Sequence, residues 1–343
     1  MRIGARTALA GLVTLGLTTA GPVAYATASG HDGDHGNGHG HHARTTQVFT
    51  LDASATAGNP EGVAFDKRSD AFFTGGTGDG TIFRGTLDDP AVHVFIPGAT
   101  GGSAVGMKVD HGLLYVAGGA TGKINVYEIA SKALVATFDT GAGGFLNDLV
   151  VGRHGDVWVT DSFRSRIWHV TGDQVEAGTG TPDAIDLSAS IPPAAGVFAL
   201  NGIVAQHGGK KLLVIQSNTG TLWSLDADVA DPDAEAVELE ANADGSSPLA
   251  GGDGMIVDKG RLLVVIGNPA SIAVVKLRHH HSEAEVQNVV TDATLHGPST
   301  IARAENLYLV VNADFALAAS PPFTLSGLDR RAVKHGGHGG GHH

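Results

Sequence analysis

A short apolar run recurs six times along the chain, and most of the runs open on a similar dipeptide. The first residues of successive runs lie 44, 42, 54, 52 and 45 positions apart. A period in this range indicates a repeat architecture, because a unit of this size buries its apolar faces against its neighbours. The opening residues are Glu61, Val105, Asn147, Asn201, Asp253 and Pro298.

Each repeat reads as four short antiparallel strands separated by turns rich in glycine. In the third repeat the predicted strands lie at 149–151, 156–161, 166–170 and 184–187. Six such units predict an all-β fold, a six-bladed β-propeller over residues 46–330. The sixth unit has only three strands, so we expect the N-terminal strand at 46–51 to pair with it and close the ring. The lack of amphipathic helices argues against a parallel α/β fold.

The two ends of the chain differ from the repeats in composition. Residues 1–28 resemble a signal peptide, with two early arginines, an apolar segment and small residues at cleavage spacing, which predicts a secreted protein with no membrane anchor. Residues 29–45 and 331–343 are rich in His and Gly and are predicted to be disordered. They are either solvated tails or loose sites for zinc, copper or nickel. A third cluster, His279–His281, is expected at a loop tip.

Charge and cysteine content restrict the partners. The net charge is −13 and no basic stripe is present, which argues against a nucleic-acid partner. The chain contains no cysteine, so no disulfide stabilises it. We expect a monomer that acts on a small molecule.

Four of the six opening positions carry an oxygen ligand. If the inner strands surround a channel, Glu61, Asn147, Asn201 and Asp253 converge near its mouth. Two carboxylates and two amides suit Ca²⁺, which takes 6–8 oxygen ligands. Mg²⁺ and Mn²⁺ are alternatives, and Zn²⁺ fits less well because no Cys or His occupies these positions. Asn-Gly and Asp-Gly are also ordinary turn signals, so each dipeptide alone has a purely structural interpretation.

With these motifs the chain resembles the senescence marker protein/gluconolactonase family of six-bladed calcium propellers, to which diisopropyl fluorophosphatase and paraoxonase are more distantly related. The resemblance covers about residues 46–330 and depends on Pro60-Glu61-Gly62, Leu146-Asn147-Asp148, Leu200-Asn201-Gly202 and Asp253-Gly254-Met255. It implies that Glu61, Asn147, Asn201 and Asp253 hold a catalytic calcium ion, with Asn147 either a ligand or a substrate contact. It also implies hydrolysis of a lactone, an ester or a phosphoester.

The roles of the remaining candidates follow from this resemblance. Asp253 is the first candidate for the base or nucleophile, and Asp148 is the second, unless Asp148 instead orients a ligand. Phe145 stands where sugar-lactone hydrolases of the family tend to carry an Arg, so Phe145, Phe198 and Leu200 near the mouth predict a more apolar substrate. The alternatives are a non-catalytic binding module with a structural calcium ion, and a transition-metal scavenger that works through its His-rich ends.

Overall fold

The computed structural model describes residues 46–54, 56–193, 196–227, 233–316 and 320–335. They belong to the compact unit Arg44–His343. The predicted signal peptide, the N-terminal His/Gly-rich segment and residues 336–343 lie outside the described residues.

Short strands, nearly all of them paired antiparallel, make up almost all of the regular secondary structure in the described residues, which confirms the all-β class. The first strand is β1 (Gln47–Leu51), and the next eight are β2 (Pro60–Asp66), β3 (Ala71–Gly76), β4 (Ile82–Thr86), β5 (Asp89–Ile96), β6 (Met107–Asp110), β7 (Leu113–Ala117), β8 (Lys123–Glu128) and β9 (Leu134–Asp139). The middle of the chain forms β10 (Leu146–Val151), β11 (Val157–Asp161), β12 (Arg166–Val170), β13 (Asp183–Asp186), β14 (Leu200–Gln206), β15 (Lys211–Gln216), β16 (Thr221–Asp226), β17 (Glu235–Ala236) and β18 (Glu238–Leu239). The last strands are β19 (Gly252–Asp258), β20 (Arg261–Ile266), β21 (Ser271–Arg278), β22 (Glu283–Val290), β23 (Pro298–Ala304), β24 (Leu307–Asn312) and β25 (Thr324–Asp329).

These strands pair in chain order. Strands β6–β9, β10–β13 and β14–β17 form separate four-stranded sheets, and β19–β22 form a fourth sheet to which β18 adds. Strand β1 pairs antiparallel with β25 and parallel with β5, so that the first and last groups join in the order β2-β3-β4-β5-β1-β25-β24-β23. The N-terminal strand therefore pairs with the last repeat, as the sequence predicts.

The apolar core lies between successive sheets. One cluster combines Phe73 of β3 with Met107 of β6, and another combines Val159 of β11 with Tyr115 of β7. A further cluster joins Phe49 of β1, packed edge-on against Phe72 of β3, to Leu309 of β24. The first strands of successive sheets also contact one another, in the order β2, β6, β10, β14, β19 and β23, and β23 contacts β2.

Helices are few and short in the described ranges. They are α1 (Gly172–Ala177), α2 (Arg330–His335) and a 3₁₀ turn at His279–His281 between β21 and β22, where a loop tip was predicted. Residues 331–335, which the sequence placed in the disordered tail, instead continue α2, and the burial of Val333 in the core explains why they are ordered. No helix in the described part of the chain is long and apolar enough to span a bilayer.

Candidate functional site

The first strand of each repeat (β2, β6, β10, β14, β19 or β23) is called its inner strand here. A break in strand pairing near the start of an inner strand positions each candidate ligand. In β10 the register with β11 shifts between Leu146 and Leu149, and β2, β14, β19 and β23 shift at the same place. A bulge of this kind leaves residues unpaired and redirects their side chains. The first residue inside each shift is Glu61, Asn147, Asn201, Asp253 or Ser299.

The equivalent position in the sixth repeat is therefore Ser299, and the prediction of Pro298 is wrong by one residue. Pro298 pairs with Asn312 before the shift, as Leu146 pairs with Asp161. The buried Ser299 hydroxyl donates a 2.8 Å hydrogen bond to the backbone oxygen of Glu61, so its donor proton is used within the chain.

Glycine follows the candidate position in four of the inner strands and allows neighbouring strands to approach. A Cβ on Gly62 would lie 2.2 Å from the backbone oxygen of Val105, and one on Gly202 would lie 2.3 Å from that of Asp253. Gly106 likewise donates its N–H to the oxygen of Asn147 at 2.8 Å. Because only glycine permits these approaches, the dipeptides bring candidate ligands from different sheets together.

The four predicted ligands line one cavity of about 500 Å³. Each of them has a buried side-chain oxygen without a hydrogen-bond partner: Glu61 Oε2, Asn147 Oδ1, Asn201 Oδ1 and Asp253 Oδ1. An unsatisfied buried polar group costs roughly 1–3 kcal/mol, so four such oxygens lining one cavity would be stabilised by a polar or cationic partner. Within the described ranges no group of three or more His, Cys, Asp or Glu side chains is arranged to hold a metal ion. The donor set here is two carboxylates and two amides, which fits a hard cation.

Hydrogen bonds orient two of these side chains towards the cavity. The Asn147 amide nitrogen donates to the Ser162 hydroxyl at 3.0 Å, and that hydroxyl donates in turn to the backbone oxygen of Leu200. With its nitrogen fixed in this way, Asn147 presents its oxygen as the free atom. The Thr300 hydroxyl donates to Glu61 Oε1 at 3.3 Å and leaves Oε2 free.

The two carboxylates repel each other in the absence of a cation. Burial, followed by the negative charges of Asp253 and Asp148, raises the pKa of Glu61 well above its ordinary value. Burial and the charge of Asp148 also raise the pKa of Asp253, although Asn201 donates a hydrogen bond that acts in the opposite direction. A divalent cation in the cavity would favour the ionised form of both groups.

Asp148 lies next to the site without lining the cavity. Its carboxylate is 1% exposed and accepts hydrogen bonds from Lys108 Nζ and from the N–H of Leu149, both at 2.8 Å. This position fits the orienting role better than the catalytic one. Lys108 is a residue that sequence reasoning missed, because its partner lies 40 positions away in the next repeat.

Aromatic side chains surround the mouth of the cavity. Phe145, Phe198 and Phe315 line it, and the rings of Phe145 and Phe198 meet edge to face at 5.0 Å. Phe198 is 46% exposed and Phe315 is 57% exposed, so both present apolar surface. The expectation that Leu200 reaches the mouth is wrong, because Leu200 is fully buried in the core between the sheet β10–β13 and the sheet β14–β17. Phe315 had no repeat signal in the sequence.

Comparisons with known proteins show a likeness of fold. No protein-family model matches the chain, and no curated protein sequence matches it. A similar solved structure is the major allergen Mala s 1 of Malassezia sympodialis, with a TM-score of 0.61 and 13% identity over 82% of this chain and 96% of that one. A gluconolactonase of Xanthomonas campestris has a TM-score of 0.57 and 16% identity over 83% and 90%. Virginiamycin B lyase of Staphylococcus aureus has a TM-score of 0.56 and 10% identity over 83% and 99%. At these identities the resemblance to gluconolactonase-like proteins holds for the fold alone.

Proposed function

We propose that this protein is a calcium-dependent hydrolase on a closed, six-bladed β-propeller. Two observations support the blade count and the closure. The inner strands contact one another in a cycle from β2 to β23 and back to β2. In the described residues an apolar core cluster also lies between each repeat and the next, including between the last repeat and the first. The pairing of β1 with β25 supplies the fourth strand of the last blade.

The unpaired oxygens of Glu61, Asn147, Asn201 and Asp253 in one cavity carry the proposal of a metal site. Calcium suits them best, because it accepts irregular sets of carboxylate and amide oxygens and completes its shell with water or substrate. Magnesium and manganese are alternatives that the same residues would hold, and zinc is less favoured in the absence of nitrogen and sulfur ligands.

The reaction we propose is hydrolysis of a lactone, an ester or a phosphoester. A bound cation would act as a Lewis acid towards the carbonyl or phosphoryl oxygen of the substrate. Asp253 lines the cavity, so its carboxylate would accept a proton from the attacking water or attack directly. Asn147 would hold the cation or the substrate through its free oxygen, and Asp148 with Lys108 would fix the inner strand that carries Asn147.

Calcium titration and turnover of the same preparation test this proposal. We expect one bound Ca²⁺ per chain, with hydrolysis of a lactone, an aryl ester or an organophosphate that stops on chelation and returns when calcium is added. Asp253→Asn should remove turnover while the protein stays folded, and Asp226→Asn, at a 59% exposed side chain, is the matched control. Hydrolysis that persists in chelator would refute the proposal.

A structural ion without catalysis is the second candidate. The four oxygens come from inner strands of four different sheets, so an ion between them would hold these sheets together. In that case chelation lowers the melting temperature of the protein by several degrees, and none of the substrates is turned over.

Export and interactions complete the proposal. We propose that residues 1–28 are removed on secretion and that the mature protein is a monomer acting on a small molecule without nucleic acid or membrane. The His-rich ends are solvated tails in this proposal, with loose binding of transition metals as the alternative. The N-terminal sequence of protein recovered from the medium tests the cleavage, and light scattering tests the oligomeric state.

A further inference from the structure

Almost all polar side chains of the cavity are either candidate ligands of the cation or hydrogen-bonded to other groups of the protein. Apart from the four candidate ligands, its lining contains only two polar side chains, Thr77 and Ser217, among the described residues. The Thr77 hydroxyl donates to the backbone oxygen of Asn59 at 2.9 Å, and the Ser217 hydroxyl donates to that of Gly252. Each hydroxyl has a single proton to donate, so neither has one left for a ligand.

A ligand with many hydroxyl groups would therefore bind poorly. A sugar lactone would bring several hydrogen-bond donors and acceptors into a space whose only other polar side chains, Thr77 and Ser217 among the described residues, have no proton left to donate. No Lys or Arg side chain lines the described cavity. Each hydroxyl that loses water without gaining a partner weakens binding by about tenfold.

A buried carboxylate fixes the backbone beside Phe145, one of the rings at the mouth. Asp161 is fully buried, and its Oδ1 accepts the N–H of Phe145 at 3.0 Å and the N–H of Phe163 at 3.2 Å. The ring of Phe163 packs against that of Phe198 at 4.8 Å and against that of Phe145 at 5.7 Å. Arg164 and Trp168 donate to the other carboxylate oxygen of Asp161 at 2.6 and 3.1 Å.

Backbone bonds connect these rings to the candidate cation ligands. The N–H of Ser162 donates to the oxygen of Phe145 at 2.9 Å, and the oxygen of Ser162 accepts the N–H of Ala199, next to Phe198, at 3.1 Å. The side chain of Ser162 is the one that accepts the amide of Asn147. The backbone at Phe145 and beside Phe198 is therefore connected to the residue that orients Asn147, as a preorganised binding site requires.

We propose that Phe145, Phe198 and Phe315 form an apolar subsite that binds the hydrocarbon part of the substrate. This inference rests on the proposed function and specifies its substrate class: lactones or esters with one polar group, which the cation binds, and an aryl or alkyl body. A cavity of about 500 Å³ accommodates a substituted ring of this kind. Sugar lactones fall outside the class.

Binding of unreactive lactams separates this inference from the question of catalysis. We would titrate the full chain in calcium with phenyl-substituted δ-valerolactam and with a polyhydroxylated sugar lactam, by calorimetry. The phenyl lactam should bind at least about tenfold more tightly. Phe198→Ala and Phe315→Ala should each weaken its binding by roughly 2- to 10-fold. Phe95→Ala is the matched control. Phe95 lies on the outer strand β5, away from the cavity, and its partly buried ring packs against that of Phe73.

Turnover measured on the same variants completes the test. Along a series of lactones with lengthening alkyl chains, kcat/KM should rise by about fourfold per buried methylene in the unchanged protein, and less in Phe198→Ala. Tight binding of the phenyl lactam that depends on Phe198, with no hydrolysis of any substrate, would support the subsite and refute the hydrolase. Equal binding of the two lactams, or equal effects of Phe198→Ala and Phe95→Ala, would overturn the subsite.

Discussion

Replacing Lys108 with Met would leave the buried carboxylate of Asp148 without its counter-charge. The Lys108 ammonium lies 2.8 Å from Asp148 Oδ1, and Asp148 Oδ2 is buried without a hydrogen-bond partner. Removing one member of a buried ion pair typically costs about 3–5 kcal/mol, because the remaining charge stays desolvated. At about 2–3 °C per kcal/mol for a domain of this size, the melting temperature should fall by roughly 6–15 °C.

A second ion pair provides a matched control for this variant. Lys211 Nζ lies 3.1 Å from Asp226 Oδ1, and the two lysine side chains are almost equally exposed, at 23% for Lys211 and 22% for Lys108. The partners differ, since Asp226 is 59% exposed and Asp148 is 1% exposed. Lys211→Met should therefore cost less than about 1 kcal/mol.

Urea unfolding in the presence of chelator measures both variants without any contribution from bound calcium. The double variant Lys108→Met with Asp148→Leu should recover most of the lost free energy of unfolding, because it removes both charges and fills the space with apolar groups. If Lys108→Met and Lys211→Met are equally destabilising, or if the double variant is less stable than Lys108→Met, the assignment of a desolvated charge beside the site is wrong.

Three further predictions concern the site and its packing. The pKa values of Glu61 and Asp253 are raised in the folded chain, that of Asp253 to about 8, so the stability these groups contribute is complete below their ordinary pKa values and is lost as the pH rises through the raised ones. In chelator the melting temperature should therefore fall between pH 6 and 9, while the increase in melting temperature on adding calcium should become larger. An increase that does not depend on pH, measured by differential scanning fluorimetry, would contradict this. Gly202→Ala should destabilise the protein by at least about 1–3 kcal/mol, because its Cβ would lie 2.3 Å from a backbone oxygen. Gly267→Ala is the control and should be tolerated, because the nearest atom to its Cβ would lie at 3.4 Å. Urea unfolding measures both variants. Ser299→Ala should cost about 1 kcal/mol through its lost hydrogen bond and leave calcium affinity within about twofold in calorimetric titration; a tenfold loss of affinity would show instead that Ser299 is a ligand.

The repeat period and the strand alternation were sufficient to predict the all-β class and the pairing of the N-terminal strand with the last repeat. Both depend on local pattern, because a period-2 run between glycine-rich turns has few other structures available. The convergence of Glu61, Asn147, Asn201 and Asp253 on one cavity was also predictable, since equivalent positions of successive repeats face the same space.

What the sequence did not reveal depends on register and on contacts between repeats. The shift in β23 moves the equivalent position from Pro298 to Ser299, and a bulge of this kind has no composition signal that fixes it to one residue. The Lys108–Asp148 ion pair joins neighbouring inner strands, so the position of one residue in the sequence does not indicate that the other is its partner. Leu200 precedes its ligand by one residue and points into the core rather than to the mouth, since side chains alternate between the faces of a strand.

The bulge dipeptides combine two requirements that sequence reasoning treats separately. In four of them the first residue (Glu61, Asn147, Asn201 or Asp253) supplies an oxygen to the cavity, and a glycine in second place leaves room for the neighbouring inner strand, which is why Asn-Gly and Asp-Gly recur where no hairpin turn exists. Two dipeptides lack the glycine, and in both the additional side chain is used: Asp148 pairs with Lys108, and Thr300 donates to Glu61. Strand packing and ligand position are therefore set by the same residues. A substitution at the second position should change ion affinity and stability together, whereas a substitution of Asn147 or Asp253 themselves should act mainly on ion affinity.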